Sequence, residues 1–257
     1  MSVTVVGLYS NYLLVITAVN TFLLLIFDSA TASFGNLIAQ ETREKSLEVF
    51  KVFNFLGFWI FGWATVCFYN LLNPFISLWI GNSYLIEQAI INIVLLNYYL
   101  VGMRVPLGVV KTAAGVYAQD RYVPLIQAAV NLTFSIILVQ YWGLAGVFAG
   151  TVISSVAVVC WYRPLVVYKH VFQTSVKQYF IHYFYYALVV VINILLTDYI
   201  CSFFLAEYGI INFILRSIVC LIIPNLVVIA LFFRAKEFKD IAGIVNFLAG
   251  EKSWGKR

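Results

Sequence analysis

The sequence predicts an all-α, polytopic membrane protein, a bundle of about seven spanning helices. Three observations predict it. Of 257 residues, 63% are hydrophobic and 11% are charged, whereas a soluble domain carries about 25% charge and about 45–50% apolar residues. A soluble core has no use for so much apolar surface, and a bilayer has. Apolar runs close to the ~20 residues that cross a bilayer recur along the chain. Lys and Arg collect in alternate breaks between those runs, which is the positive-inside bias.

The segments follow in order. The first helix runs from about Leu8 to Ile38 and carries Asp28 with Thr17, Thr21, Ala32 and Gly35 on one face. The second covers Val49 to Leu72, after a stretch, Glu41–Lys51, whose mixed charges read as a solvated turn. The third runs from Ala89 to about Val116, and Pro106 should bend it by removing one backbone hydrogen bond and exposing a carbonyl. The fourth is Val123 to Val139, the fifth Leu144 to Val167, the sixth Tyr179 to Thr197 and the seventh Ile210 to Phe233. A domain boundary is set here: residues 1–233 form the bundle, and 234–257 a basic tail. Within that tail Phe238, Ile241, Val245 and Leu248 recur at helical spacing, so Glu237–Leu248 could lie on the membrane surface.

The breaks set the orientation. Arg43, Lys45 and Lys51 follow the first helix, whereas Asn73–Gln88 after the second has no Lys or Arg. Arg121 follows the third, no charge follows the fourth, and Arg163, Lys169 and Lys177 follow the fifth. Asp198 and Glu207 follow the sixth, and the tail holds Arg234, Lys236, Lys239, Lys252, Lys256 and Arg257. Counting Arg104 and Lys111 on the inward half of the third helix, all 16 Lys and Arg except Arg216 lie toward one side. That places the C-terminus in the cytoplasm and the N-terminus outside. The start of the first helix has no basic n-region, so no cleavable leader is expected. An outside N-terminus then suits the C-terminal part of a longer transporter.

Ionisable groups inside a bilayer are costly and point to function. At 1.5 Å per residue, Arg104 lies about 25 Å and Lys111 about 35 Å from Glu87, where the third helix enters. Their spacing puts both on one face with Asn97, Gly108 and Gly115, so small residues beside cations leave room for an anionic ligand. The alternative is that both snorkel to the inner headgroups. Asp28 either holds a coupling cation or forms a structural ion pair or hydrogen bond within the bundle. Gln127, Asn131 and Ser135 suit interhelical hydrogen bonds or a cavity wall. Gly146, Gly150 and Ser154 form a ridge for close helix packing. Trp79, Trp142 and Trp161 sit near helix ends, as an aromatic belt does.

Several classes are disfavoured. Cys67, Cys160, Cys201 and Cys220 stand singly in apolar runs and read as filler, without a metal motif or disulfide framework. His170 and His182 read as interfacial. No catalytic motif or large outer loop points to an enzyme, and no cofactor or nucleic-acid partner is implied.

Five stretches carry a resemblance: VGLYSNY at Val6–Tyr12, TASFGNLIA at Thr31–Ala39, NPFISLWIGNSY at Asn73–Tyr84, the run from Met103 to Ile136, and GLAGVFAGTVIS at Gly143–Ser154. In this order they resemble the Wzx-type polysaccharide flippases of the MATE-like superfamily. The resemblance covers nearly the whole chain. It implies the second of two six-helix lobes without its first helix, plus two added C-terminal helices. It implies a function too: moving undecaprenyl-diphosphate-linked oligosaccharide between leaflets of the bacterial plasma membrane for capsule or exopolysaccharide assembly. The partners it implies are membrane lipids, the lipid-linked oligosaccharide, a separate N-terminal half and polysaccharide assembly proteins. Arg104 and Lys111, with Asn97, would then meet the diphosphate. Two alternatives stay open, a MATE-type cation-coupled exporter of small organic molecules and an inactive truncated membrane protein.

Overall fold

A bilayer offers no water to the backbone, so each apolar run must satisfy its own N–H and C=O groups, which a helix does. The computed structural model describes residues 3–204 and 209–248. Glu207, Lys252, Lys256 and Arg257 lie outside the described residues, as do the side chains of Val245 and Leu248. Among the described residues, seven helical segments are long and apolar enough to cross a membrane. The protein is a multi-pass, all-α membrane protein.

The first span is two helices, α1 (Val3–Asp28) and α2 (Thr31–Gln40), where the sequence predicts one. The break follows Asp28 directly. Ser29 Oγ donates to the Ile26 carbonyl at 2.8 Å, and the Ala30 amide bonds three residues back to Phe27. A serine hydroxyl competing for helix carbonyls loosens the turn in this way.

The second span, α3 (Arg43–Trp79), outruns its expected ends on both sides. Thr42 accepts from the Lys45 amide at 3.3 Å and Glu44 stands in the first turn. That cap and charge start the helix inside the stretch expected as a solvated turn. At the far end the helix passes Pro74, so the loop expected at Asn73–Gln88 contracts to a short connection around the 3-10 turn Asn82–Tyr84.

The third span breaks into α4 (Gln88–Gly102) and α5 (Val105–Ala113). Pro106 offers no N–H to the Gly102 carbonyl, and the chain loosens just ahead of it at Met103–Arg104. A single residue, Gly143 at φ +55°, turns α6 (Val123–Trp142) into α7 (Leu144–Ser154). The fifth span continues through a π turn at Ser155–Val159, then α8 (Cys160–Val167), then a second π turn at Tyr168–Phe172. It therefore ends beyond Val167, the expected limit. The chain closes with α9 (Lys177–Phe204), α10 (Ile210–Phe232) and α11 (Lys236–Leu248).

The core forms around α3. Its buried Phe55 and Phe58 meet α9 and α10, Phe58 stacking on Tyr186 with ring centres 4.2 Å apart, and its buried Phe61 meets Phe27 of α1 and Tyr98 of α4. A Cβ on Gly102 would lie 2.5 Å from the Phe61 ring, and one on Gly57 would lie 2.6 Å from the Pro106 ring. These close approaches let α3 clamp the α4–α5 break on two sides. Pro224 in α10 cannot bond the Cys220 carbonyl, and Trp63 Nε1 donates to it instead at 3.0 Å. Trp59 Nε1 donates to Asn225 Oδ1 at 2.7 Å. Freed and polar groups are thus satisfied within the bundle.

The helix at the C-terminal end, expected on the membrane surface, packs part of its apolar face within the chain. Phe238 stacks on Trp59 at 5.7 Å, Ile241 packs beside the cluster holding Phe232 and Val228, and Lys236 pairs with Glu48. This part of its apolar face is spent on α3 and α10.

Candidate functional site: a buried cationic cluster at the helix break

Arg104 lies at the α4–α5 break and is 5% exposed. Placing a cation at helix-centre depth costs about 2.5–3.5 kcal/mol on insertion scales, so its partners matter. Its guanidinium donates to Cys160 Sγ at 3.2 Å and to Ser155 Oγ at 3.5 Å. Ser155 Oγ in turn donates to Asn97 Oδ1 at 3.4 Å. Neither the thiol nor the hydroxyl is a carboxylate that would match the guanidinium charge. Among the described residues no carboxylate pairs with Arg104. The π turn explains how one helix offers both partners. Its amide at Cys160 bonds back to the Ser155 carbonyl, so residues five apart come into line, as they do not in an α-helix. Cys160, expected as filler, is here a partner of the arginine.

Arg163 is the second cation. The sequence counts it with the loop after the fifth helix, but it lies inside the span, within α8. A Cβ on Gly108 would be 3.8 Å from Arg163 Nη1. Arg163 therefore lies over the small residue one turn from Arg104, in electrostatic range of both Arg104 and Asp120.

Lys111, expected either to face a ligand beside Arg104 or to snorkel, has a partner within the chain. It pairs with Asp120 from the turn after α5, with the two side chains 14% and 11% exposed. Its ammonium also lies 5.2 Å from the centre of the Tyr117 ring. Three cations thus lie along α5 and α8, and two of them are within electrostatic range of one carboxylate. Close by, the hydroxyls of Tyr99, Tyr179 and Tyr183 are buried without a hydrogen-bond partner. The Tyr183 hydroxyl lies beside Cys160 and Arg104, outside hydrogen-bond geometry. A buried unpaired polar group costs about 1–3 kcal/mol, and three such hydroxyls lie around the cluster. A cavity of 290 Å³ between α3, α4 and α9 reaches Tyr99 and Tyr183 from outside, past the exposed Leu96 and Val191.

The remaining expected residues lie elsewhere. Asp28 is exposed on the outside of α1 with Thr17 and Thr21, and among the described residues it forms no ion pair. Gly146 and Gly150 meet α6 so closely that a Cβ would lie 2.1 Å from the Leu138 carbonyl oxygen and 2.3 Å from Ser135 Oγ. Ser154 accepts from Asn131 Nδ2 at 3.4 Å, and Ser135 Oγ donates to the Val147 carbonyl at 3.2 Å. Among the described residues no group of His, Cys, Asp and Glu is placed to hold a metal ion. Comparison with protein-family models, curated proteins and solved structures finds no match for this chain.

Proposed function

We propose that the chain forms one half of a translocator for undecaprenyl-diphosphate-linked oligosaccharide, in a bacterial plasma membrane with the C-terminus cytoplasmic. One observation carries this reading: Arg104, buried in a span without a carboxylate partner among the described residues, with Arg163 across Gly108. A structural arginine at this depth would be matched to a carboxylate, because an unmatched buried charge is expensive. A guanidinium whose protein partners are a thiol and a hydroxyl is poised for a stronger acceptor, and phosphate oxygens suit its fork. The neighbouring cavity opens between helices toward the exterior, where an apolar chain attached to that anion would lie. The second half would cover the polar stripe of α1.

Export of a small organic cation is a second reading, and Asp28 favours it. The cationic excess at the cluster disfavours it.

The test is export in cells by the intact transporter, with protein amounts matched. Arg104→Ala should abolish export while the protein still reaches the membrane, and Arg104→Lys should restore only part, since a point charge replaces a planar fork. Wild-type export by Arg104→Ala would end the reading. Expressed by itself, the chain should not restore export to a strain lacking its flippase, because alternating access moves one repeat against the other and so needs both.

A further inference from the structure

We infer that Asp120 is a tethered counter-anion, competing with the ligand for Lys111 and Arg163 and so setting how tightly the cluster binds an anion. The inference rests on reading the cluster as an anion site. Asp120 is buried at 9% exposure although it sits in a turn between helices. The turn reaches back because Gly115 adopts φ +66°, a conformation other residues rarely take. Tyr162 Oη then donates to the Gln119 carbonyl at 2.9 Å, fixing the turn to α8. The result is a carboxylate delivered from the chain's own loop to the inner end of a group of cations. It bonds Lys111 and lies within electrostatic reach of Arg163. An arriving phosphate would find Arg104 without a carboxylate, Arg163 partly compensated and Lys111 already paired.

Two consequences separate this role from plain structural support. Removing the carboxylate should strengthen anion binding, since it frees Lys111 and uncovers Arg163. A bound anion should also loosen the turn, since it takes over the cations that hold Asp120. A merely structural ion pair predicts the reverse on both counts, because breaking it leaves a buried Lys111 uncompensated.

The experiment titrates the full 257-residue chain, purified in detergent, with inorganic pyrophosphate by calorimetry. Asp120→Asn should bind about tenfold more tightly than wild type, the scale expected when one unit charge is removed about 12 Å away at an effective dielectric of about 20. Adding Lys111→Met to Asp120→Asn should return the affinity to that of wild type. Equal or weaker binding by Asp120→Asn, with Arg104→Ala still lowering the affinity, would overturn the role of Asp120 and leave the anion site standing. Absence of pyrophosphate binding by both wild type and Asp120→Asn would overturn the anion site itself. A second readout needs no variant. Saturating pyrophosphate should speed hydrogen exchange of the segment Val116–Tyr122 in the wild-type chain, and unchanged or slower exchange would overturn the proposal.

Discussion

α1 and α6 are both peripheral, and they differ in what they show to the outside. In the most apolar window of the first span 11% of residues are buried, and in that of α6 6%, against 61% for α3. The outward residues of α6 are Leu125, Leu132, Phe134 and Ile136 among others. α1 also turns Leu14, Phe22 and Leu25 outward, but beside them runs a narrow stripe of exposed Thr17, Thr21 and Asp28. Hydrocarbon accepts the first surface and rejects the second. Exposure in a single chain is therefore two different properties. The face of α6 suits lipid, and the stripe of α1 suits water or another protein.

A buried-charge test breaks this contrast with the largest effect. Leu132→Arg, at mid-span of α6, should cost about 2.5–3.5 kcal/mol and remove most of the chain from the membrane fraction. Thr21→Arg, at similar depth on the α1 stripe, should leave the yield near that of wild type. Equal losses for the two variants would erase the distinction.

A packing test sharpens it at intermediate size. α6 meets the rest of the protein through a seam of small residues. Gly146→Ala forces a Cβ against the Leu138 backbone and should destabilise the hairpin by about 1–3 kcal/mol, lowering the thermal midpoint in detergent. Gly35→Ala in α2 has no atom within 4 Å of the new methyl and should hold or raise the midpoint, since Ala is the better helix former by about 0.8–1 kcal/mol. A Gly146→Ala midpoint equal to wild type would mean the seam carries no close packing.

The smallest effect is chemical. Asp28→Cys should react with a hydrophilic maleimide in membranes holding this chain alone, whereas Leu132→Cys should not. Unfolding should be unchanged within ~0.5 kcal/mol for Asp28→Asn, since the group has few neighbours to lose. An unreactive thiol at position 28 would put the stripe in lipid and remove the contrast.

The spans themselves were legible because hydropathy over twenty residues is a strong signal and a helix is the one open-chain answer to a bilayer. The bend at Pro106 was legible for the same local reason, a missing N–H. Helix ends were not. Thr42 starts α3 within a charged stretch, and Pro74 fails to stop it, because caps and neighbouring helices decide such ends. Nor was the site fully legible. Arg104 stood out by depth, but counting 1.5 Å per residue from Gly143 sends Arg163 to the membrane edge. A π turn spends extra residues without matching length, and nothing in the residues Ser155–Val159 announces one. The pairing of Lys111 was hidden as well, since it depends on a turn doubling back at Gly115. The signal that could have found it was Asp120 itself, a lone acid beside a basic helix end.

The single-residue turn at Gly143 has a consequence for biogenesis. The hydrogen bond from Asn131 to Thr151 joins residues 20 apart, whereas that from Trp59 to Asn225 joins residues 166 apart. Contacts between near neighbours close first, since little chain entropy opposes them. As spans leave the insertion machinery in turn, the α6–α7 hairpin is therefore complete while α3 still lacks α9 and α10. Until then the indoles of Trp59 and Trp63 have no acceptor in the chain, and the helix destined to be the centre of the fold is the one that waits longest.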